Sequence, residues 1–255
     1  MVIIFLIGAI LGSFIAALVF RIRHKNNWVS GRSQCEHCGH QLGPFDLVPI
    51  LSWIILKGRC RYCHHKIGTE PIAIELLTGL LFVTSYIFWP YSFGGIYAVL
   101  FAIWLLLITI LLALALYDYQ YMELPNGLVI FASITTVIWI VLHAMGGKSI
   151  IPNLLGGFAL CGFFYLLWII SKGKWIGGGD VKLSFSLGLL AGSIPGALLL
   201  LLFASLFGTL YGLPLLLSKN AKKQKHIIPF GPFLIISTLI VFFWGNAILK
   251  LLYIN

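Results

Sequence analysis

Long apolar runs decide what this chain can fold into. Residues 1–20, 71–89, 96–117, 127–145, 153–171, 181–218 and 229–252 carry almost no charge. Runs that approach or exceed about 18 such residues read as membrane-spanning helices. The stretch 181–218 is too long for one span, and "AGSIPG" at 191–196 breaks it with a Gly-Pro turn signal. Eight spans are expected, the sixth of them short. Composition agrees, with 60% hydrophobic and 9% charged residues. A soluble domain is about half apolar and about a quarter charged. The run 1–20 has no positive charge before it and no small-residue cleavage site, and Arg21, Arg23 and Lys25 follow it. It reads as a retained first span rather than a secretory signal.

The net charge of +10 sorts by loop. With the N-terminus outside, the loop 21–70 faces the cytoplasm with Arg21, Arg23, Lys25, Arg32, Lys57, Arg59, Arg61 and Lys66. Lys172, Lys174, Lys219, Lys222, Lys223 and Lys225 fall on the same side, and only Lys148 and Lys250 lie outside. That asymmetry follows the positive-inside rule, and it places both termini outside. No basic stripe with interleaved aromatics exists, so nucleic acid is not an expected partner. The bilayer is.

The first loop carries "CEHC" at 35–38 and "CRYC" at 60–63. Two such pairs at this spacing match a four-thiolate zinc site, each pair on a tight knuckle. A cytoplasmic loop sits in a reducing compartment, which favours metal over disulfides. Cys35, Cys38, Cys60 and Cys63 complete a tetrahedron, so a zinc ion there is structural. His37, His40, His64 and His65 then read as solvated loop residues, and Cys161 as a small buried apolar one.

The chain has seven acidic residues. Glu36, Asp46 and Glu70 read as ordinary surface groups of the loop, and Glu75 lies about one turn into the second span. Asp118 closes the third span in "LYDYQYMELPN", and Asp180 opens the sixth in "WIGGGDVK". Both stand at the cytoplasmic edge of the membrane, where an acid is costly enough to mark a functional site. The bland readings are a helix cap at Asp180 and a headgroup contact at Asp118. Two neighbouring carboxylates that share one proton can instead activate a water for peptide hydrolysis. Gly177, Gly178 and Gly179 have no side chains, which lets an extended substrate backbone come close to Asp180. The glycines lack nucleotide-loop spacing.

These residues, in this order, resemble the bacterial type IV prepilin peptidases, membrane aspartic proteases with a Gly-x-Gly-Asp motif. The resemblance runs nearly end to end, through "GSFIAALVFRI" (12–22), the cysteine loop (33–63), "IELLTG" (74–79), "DYQYMELPN" (118–126), "GGGDVKL" (177–183) and "IPFGPFL" (228–234). One departure is "KIGTEPIA" before "IELLTG", where an aromatic-proline pair is more usual. The resemblance implies Asp118 and Asp180 as the catalytic pair and the four cysteines as zinc ligands. It implies prepilins or pilin-like proteins as substrates, cut on the cytoplasmic side between a short basic leader and a hydrophobic helix. Many members also N-methylate the new terminus with S-adenosylmethionine, and no methyl-donor site can be argued from these residues.

The expected architecture is an all-α polytopic membrane protein of about eight transmembrane helices with a small cytoplasmic zinc-binding loop. Residues 1–20 form the first span, 21–70 the loop, and 71–255 the peptidase membrane domain. The competing function is a proton-coupled transporter with Asp118 and Asp180 as relays. Transporters tend to show internal repeats, and this chain shows none.

Overall fold

A computed structural model describes residues 1–25, 32–217 and 228–252. Lys219, Lys222, Lys223 and Lys225, which contribute to the charge asymmetry, lie outside the described residues. Among the described residues the regular structure is helical. The helices are α1 (Val2–Arg23), α2 (Leu51–Ile55), α3 (Glu70–Ile87), α4 (Ile96–Tyr121), α5 (Asn126–Met145), α6 (Ile151–Ser171), α7 (Gly178–Leu190), α8 (Ile194–Leu217) and α9 (Gly231–Leu251), with one 3-10 turn at Pro44–Asp46. Among the described residues, seven are long and apolar enough to cross a membrane. The short one is α7, at 13 residues.

The helix boundaries follow local chemistry. Between α7 and α8 the chain turns at Gly192, whose φ of 76° suits glycine. Pro195 then falls in the first turn of α8, where its missing N–H would be unpaired anyway. Pro71 does the same for α3, so "KIGTEPIA" still starts a helix. The end of α4 differs from the sequence expectation. It runs to Tyr121, so Asp118 sits inside the last turn rather than closing the helix. Met122 stops it in a left-handed conformation, φ 55°, and donates its N–H to the Asp118 carbonyl at 2.8 Å.

The chain divides into two compact units, residues 1–89 and 90–255. In the first, α1 packs along α3 at close range. A Cβ on Gly8 would stand 2.8 Å from the Gly79 Cα, and one on Gly12 only 2.7 Å from the Glu75 Cα. This is small-residue packing of the kind that joins helices in lipid. Glu75 is buried there. Its Oε2 accepts the Ile50 N–H at 2.7 Å, and Ser13 is a second partner.

The second unit gathers α4 to α9. Its core centres on α4, where Trp104, Leu107, Leu111 and Leu114 are fully buried and Trp104 stacks on Phe242 at 3.7 Å. Several polar groups inside are satisfied locally. Thr109, Ser133, Thr135 and Thr238 each donate to the carbonyl four residues back. Other bonds cross between helices, among them Ser133 to Ser186 at 2.8 Å and Asn153 Nδ2 to the Leu189 carbonyl at 2.9 Å. Outward faces are apolar, as in the stripe Leu198, Leu202, Leu206 and Leu210 of α8. Water would penalise such a surface, whereas acyl chains accept it.

Helix α7 is held against α6 by glycine on both sides. A Cβ on Gly188 would lie 2.6 Å from the Gly156 carbonyl oxygen. Gly188→Val is expected to destabilise the protein by about 1–3 kcal/mol, the usual range for overpacking. Gly162→Ala in α6, where a Cβ meets nothing within 4 Å, is the control. Thermal unfolding of both variants in detergent checks this, and equal midpoints would contradict it.

Candidate active site

Three chain segments of the second unit meet around one cavity of about 510 Å³. The end of α4 and the turn after it contribute Tyr117, Asp118, Met122 and Glu123, α5 contributes Asn126, and the start of α7 contributes Asp180 and Lys182. Gly177, Gly178 and Gly179 line it as well. Both aspartates singled out from the sequence therefore face one space. The charge of Asp118 is felt at Asp180, so the two carboxyls interact.

Each carboxyl is placed by backbone. Asp118 is 6% exposed, and its Oδ2 accepts the Gly231 N–H at 2.9 Å. Gly231 opens α9, so this bond uses one of the unpaired N–H groups at a helix start. A Cβ on residue 231 would stand 2.6 Å from that same oxygen. Asp180 is the third residue of α7. Its N-cap is Gly177, whose N–H is the backbone partner of the Asp180 carboxyl. Asp180 is thus not itself the cap. Its Oδ1 is buried with no hydrogen-bond partner among the described residues. A buried carboxylate oxygen in that state is a place where a water or a substrate group gains a strong hydrogen bond.

The three glycines differ. A Cβ on Gly179 would lie 2.8 Å from the Leu124 Cβ, so glycine there lets the start of α7 close on the turn after α4. Gly177 and Gly178 meet nothing nearer than 3.4 Å and leave space open. Lys182 Nζ donates to Asn126 Oδ1 at 2.9 Å and ties α7 to α5. The role of Gly231 is not among the sequence expectations. Its signal is a glycine directly before Pro232, near the start of the last apolar run.

The first unit holds the cysteines. Their four Sγ atoms lie within 4.8 Å of one another, and Cys35 Sγ is 3.8 Å from Cys63 Sγ. Four thiolates bound at about 2.3 Å to one tetrahedral ion stand about 3.8 Å apart, so the set fits a metal. The two knuckles repeat. Cys35 N–H bonds the His40 carbonyl and Gly39 N–H the Cys35 carbonyl, while Cys60 pairs the same way with His65 and His64. Gly39 (φ 70°) and His64 (φ 57°) take the same left-handed position. The histidines pack on rings instead of joining the sulfurs, His37 on His65 and His40 on Tyr62.

Protonation also calls for a cation. Bonding from the Cys38 backbone, against burial, lowers the Cys35 thiol to about 7. The His65 backbone lowers Cys63, yet burial and the three other sulfurs push it up to about 12. Four thiolates at this spacing need positive charge between them.

Asp46 corrects the sequence reading. It is no ordinary surface acid, because its side chain is only 5% exposed. It accepts from Arg61 Nε at 2.6 Å, the Gly43 N–H at 3.0 Å and the Tyr62 hydroxyl at 3.1 Å. Burial opposes its charge, but these partners outweigh burial and hold the carboxyl below its usual range. Asp46 braces the second knuckle.

Comparison with known proteins matches the sequence to a family. The Bacterial Peptidase A24 N-terminal domain matches residues 6–89, and the Type IV leader peptidase family matches residues 105–213. A Bacillus subtilis (strain 168) protein named prepilin leader peptidase/N-methyltransferase is 32% identical, over 97% of this chain and 96% of its own. Proteins of the same name from Pseudomonas aeruginosa and Aeromonas hydrophila are each 29% identical. The first covers 96% of this chain and 90% of its own, the second 88% and 75%. No solved structure matches the chain.

The metal reading is checked by elemental analysis. Purified reduced protein is expected to hold about one divalent ion per chain. Cys35→Ser with Cys38→Ser should remove it. Acidification should release it as the thiolates protonate, with proton uptake. Because Asp46 is depressed, its bracing is fully present above the ordinary carboxylate range near pH 4 and is lost only as pH falls through its own lower value. Asp46→Asn should therefore speed metal loss even at neutral pH. Absence of metal with four free thiols would contradict the assignment.

Proposed function

The chain belongs to the type IV leader peptidase family, and on that premise we propose that it cuts the leader from prepilins or pilin-like proteins with Asp118 and Asp180. The observation that carries the reading is the pair itself. Two acids from different helices, among seven in the whole chain, line one cavity in an otherwise apolar unit. The multi-pass membrane setting keeps the substrate's hydrophobic helix in lipid while its leader enters from the aqueous edge. The substrate backbone passes over Gly177 and Gly178.

The chemistry needs one water between the carboxyls. The ionised carboxylate takes a proton from the water as its oxygen forms a bond to the scissile carbonyl carbon. The protonated carboxyl gives its proton to the carbonyl oxygen, yielding a neutral tetrahedral diol. Collapse of the diol breaks the C–N bond, the amine nitrogen takes up a proton, and the pair returns to one shared proton. Activity is bell-shaped in pH, because the pair works only with one proton between them. A transporter reading has no support, since the sequence shows no repeat and no broken mid-membrane helix pair accompanies the acids among the described residues.

The metal is zinc, by its donor set of four thiolates. It carries no reaction step and holds the loop of the first unit, which is too small to be stabilised by a core alone. S-adenosylmethionine would supply an electrophilic methyl group for the new N-terminus. The loop 21–70 and the active site face the cytoplasm, by the distribution of lysine and arginine. In that orientation a reporter at Lys57 reads cytoplasmic and one at Lys148 external. The opposite pattern would overturn it.

Coexpression with a candidate prepilin tests the function. Wild type should shorten the substrate. Asp118→Asn and Asp180→Asn should each reduce single-turnover cleavage by at least about a thousandfold while still inserting, as expected when a member of a catalytic unit is lost. Gly231→Ala should lower it in part, by displacing the Asp118 carboxyl. Undiminished cleavage by either asparagine variant would sink the mechanism.

A further inference from the structure

The loop of the first unit carries an apolar surface that neither the sulfur cluster nor the carboxyl pair uses. Helix α2 has five residues, and Leu51, Ile54 and Ile55 stand on one side of it at helical spacing. All three are exposed, Ile55 at 73%. Phe45, ahead of the helix, is 82% exposed. Phe45, Val48, Leu51 and Ile55 border the same recess, so the surface is continuous. Trp53 packs into the loop instead. Its Nε1 donates to the Gly68 carbonyl at 3.2 Å, and its ring lies 2.9 Å from where a Cβ on Gly58 would stand. Single exposed apolar side chains are ordinary, but a continuous group of large ones marks a surface that something covers.

Two observations say what covers it. The first is depth. Ile50, which precedes α2, donates its N–H to Glu75 Oε2 at 2.7 Å. Glu75 belongs to α3, one of the membrane-spanning helices, with 18 residues. A helix of that length measures about 27 Å, close to the roughly 30 Å of bilayer hydrocarbon. The start of α3 therefore stands near the hydrocarbon edge, and Glu75 lies about 7.5 Å further in. Helical side chains lean toward the N-terminus, so Ile50 falls between those two levels. From there inward α3 exposes Leu76, Leu77 and Leu80. Interfacial helices seat their apolar faces about 5–10 Å into the boundary between headgroups and acyl chains, which is the same level. Ile50 has a φ of 65°, which a β-branched residue rarely adopts, so a tertiary contact rather than local preference sets the turn into α2. The second observation is charge. Lys57 and Arg59 follow α2 and are exposed, as is Lys66. No acidic residue occurs between Asp46 and Glu70, and Asp46 is engaged with Arg61. An apolar face edged by cations fits an anionic lipid surface.

We propose that residues 45–55 form an interfacial anchor. Phe45, Leu51, Ile54 and Ile55 enter the boundary between headgroups and acyl chains beside α3, and Lys57 and Arg59 meet anionic headgroups. The anchor is joined to the cysteine cluster, because Asp46, next to Phe45, holds Arg61 and Tyr62 of the second knuckle. Lipid thereby fixes the height of the loop at the membrane surface. A second copy of the chain or an apolar segment of another protein would also cover an apolar face, but neither accounts for the Ile50 to Glu75 bond at interfacial depth.

A fluorescent amino acid in place of Ile55, in the full metal-loaded chain held one copy per lipid nanodisc, reports what surrounds the face. In discs containing phosphatidylglycerol, nitroxide-labelled lipid is expected to quench the probe, more strongly with the nitroxide at the headgroup end of the acyl chain than at its methyl end. Aqueous acrylamide should leave the probe nearly unquenched. Ile54→Asp, with metal retained as the sign of a folded loop, should reverse this pattern. Discs of phosphatidylcholine alone should show weaker lipid quenching, and Lys57→Gln with Arg59→Gln should remove the difference between the two lipids. A wild-type probe quenched by acrylamide and untouched by nitroxide lipid overturns the anchor. So does a probe shielded from both, which puts protein on the face, and so does shielding that appears only with two copies per disc, which assigns the face to a second chain. Equal quenching of the wild type in both lipids overturns the choice of an anionic surface. None of these readouts depends on cleavage.

Discussion

An unpaired polar group is expensive in hydrocarbon, and most of this structure follows from that cost. Backbone groups are closed into helices. Thr109, Thr135 and Thr238 bond back to the preceding turn of their own helix. Helices then meet through glycine, since lipid gives them no hydrophobic reason to associate. In that setting the acid pair is set at helix termini, where free N–H groups and an aqueous edge lower the cost of charge. Asp118 takes the first N–H of α9, and Asp180 takes the N–H of the residue that caps α7.

The same cost explains the division of labour along the chain. The cysteine loop buries little apolar side chain, and its described helices are a five-residue α2 and one 3-10 turn. Its order comes instead from two matching knuckles around four sulfurs and from the Asp46 staple to Arg61 and Tyr62. The second unit is ordered by packing, with α4 buried along much of its length among its neighbours. Glycine-packed helices hold the acid pair, and the loop is braced at its four clustered sulfurs.

Much of this is legible in the order of the amino acids. Hydropathy marks the spans because a bilayer allows so few alternatives, and the turn at 191–193 follows from its glycine and proline. The four cysteines and the acid pair stand out because thiolate pairs and isolated acids are rare in such a chain. The features that escape a sequence reading all depend on contacts between distant segments. Gly231 looks like any helix start until α9 is placed against Asp118. Gly179 looks like an opening for substrate until Leu124 fills the space where its Cβ would be. Asp46 looks like a solvated acid until the second knuckle folds over it. No periodicity or spacing reports a contact of that kind.

The central claim is that a water held by two carboxyls, and no enzyme nucleophile, opens the peptide bond. Single-turnover cleavage in oxygen-18 water tests it directly, with mass spectrometry of both the released leader and the enzyme's own peptides. The account predicts one oxygen-18 in the new leader carboxylate and none in Asp118 or Asp180. Label in either aspartate after one turnover would mean that the carboxylate itself attacked, and would contradict it.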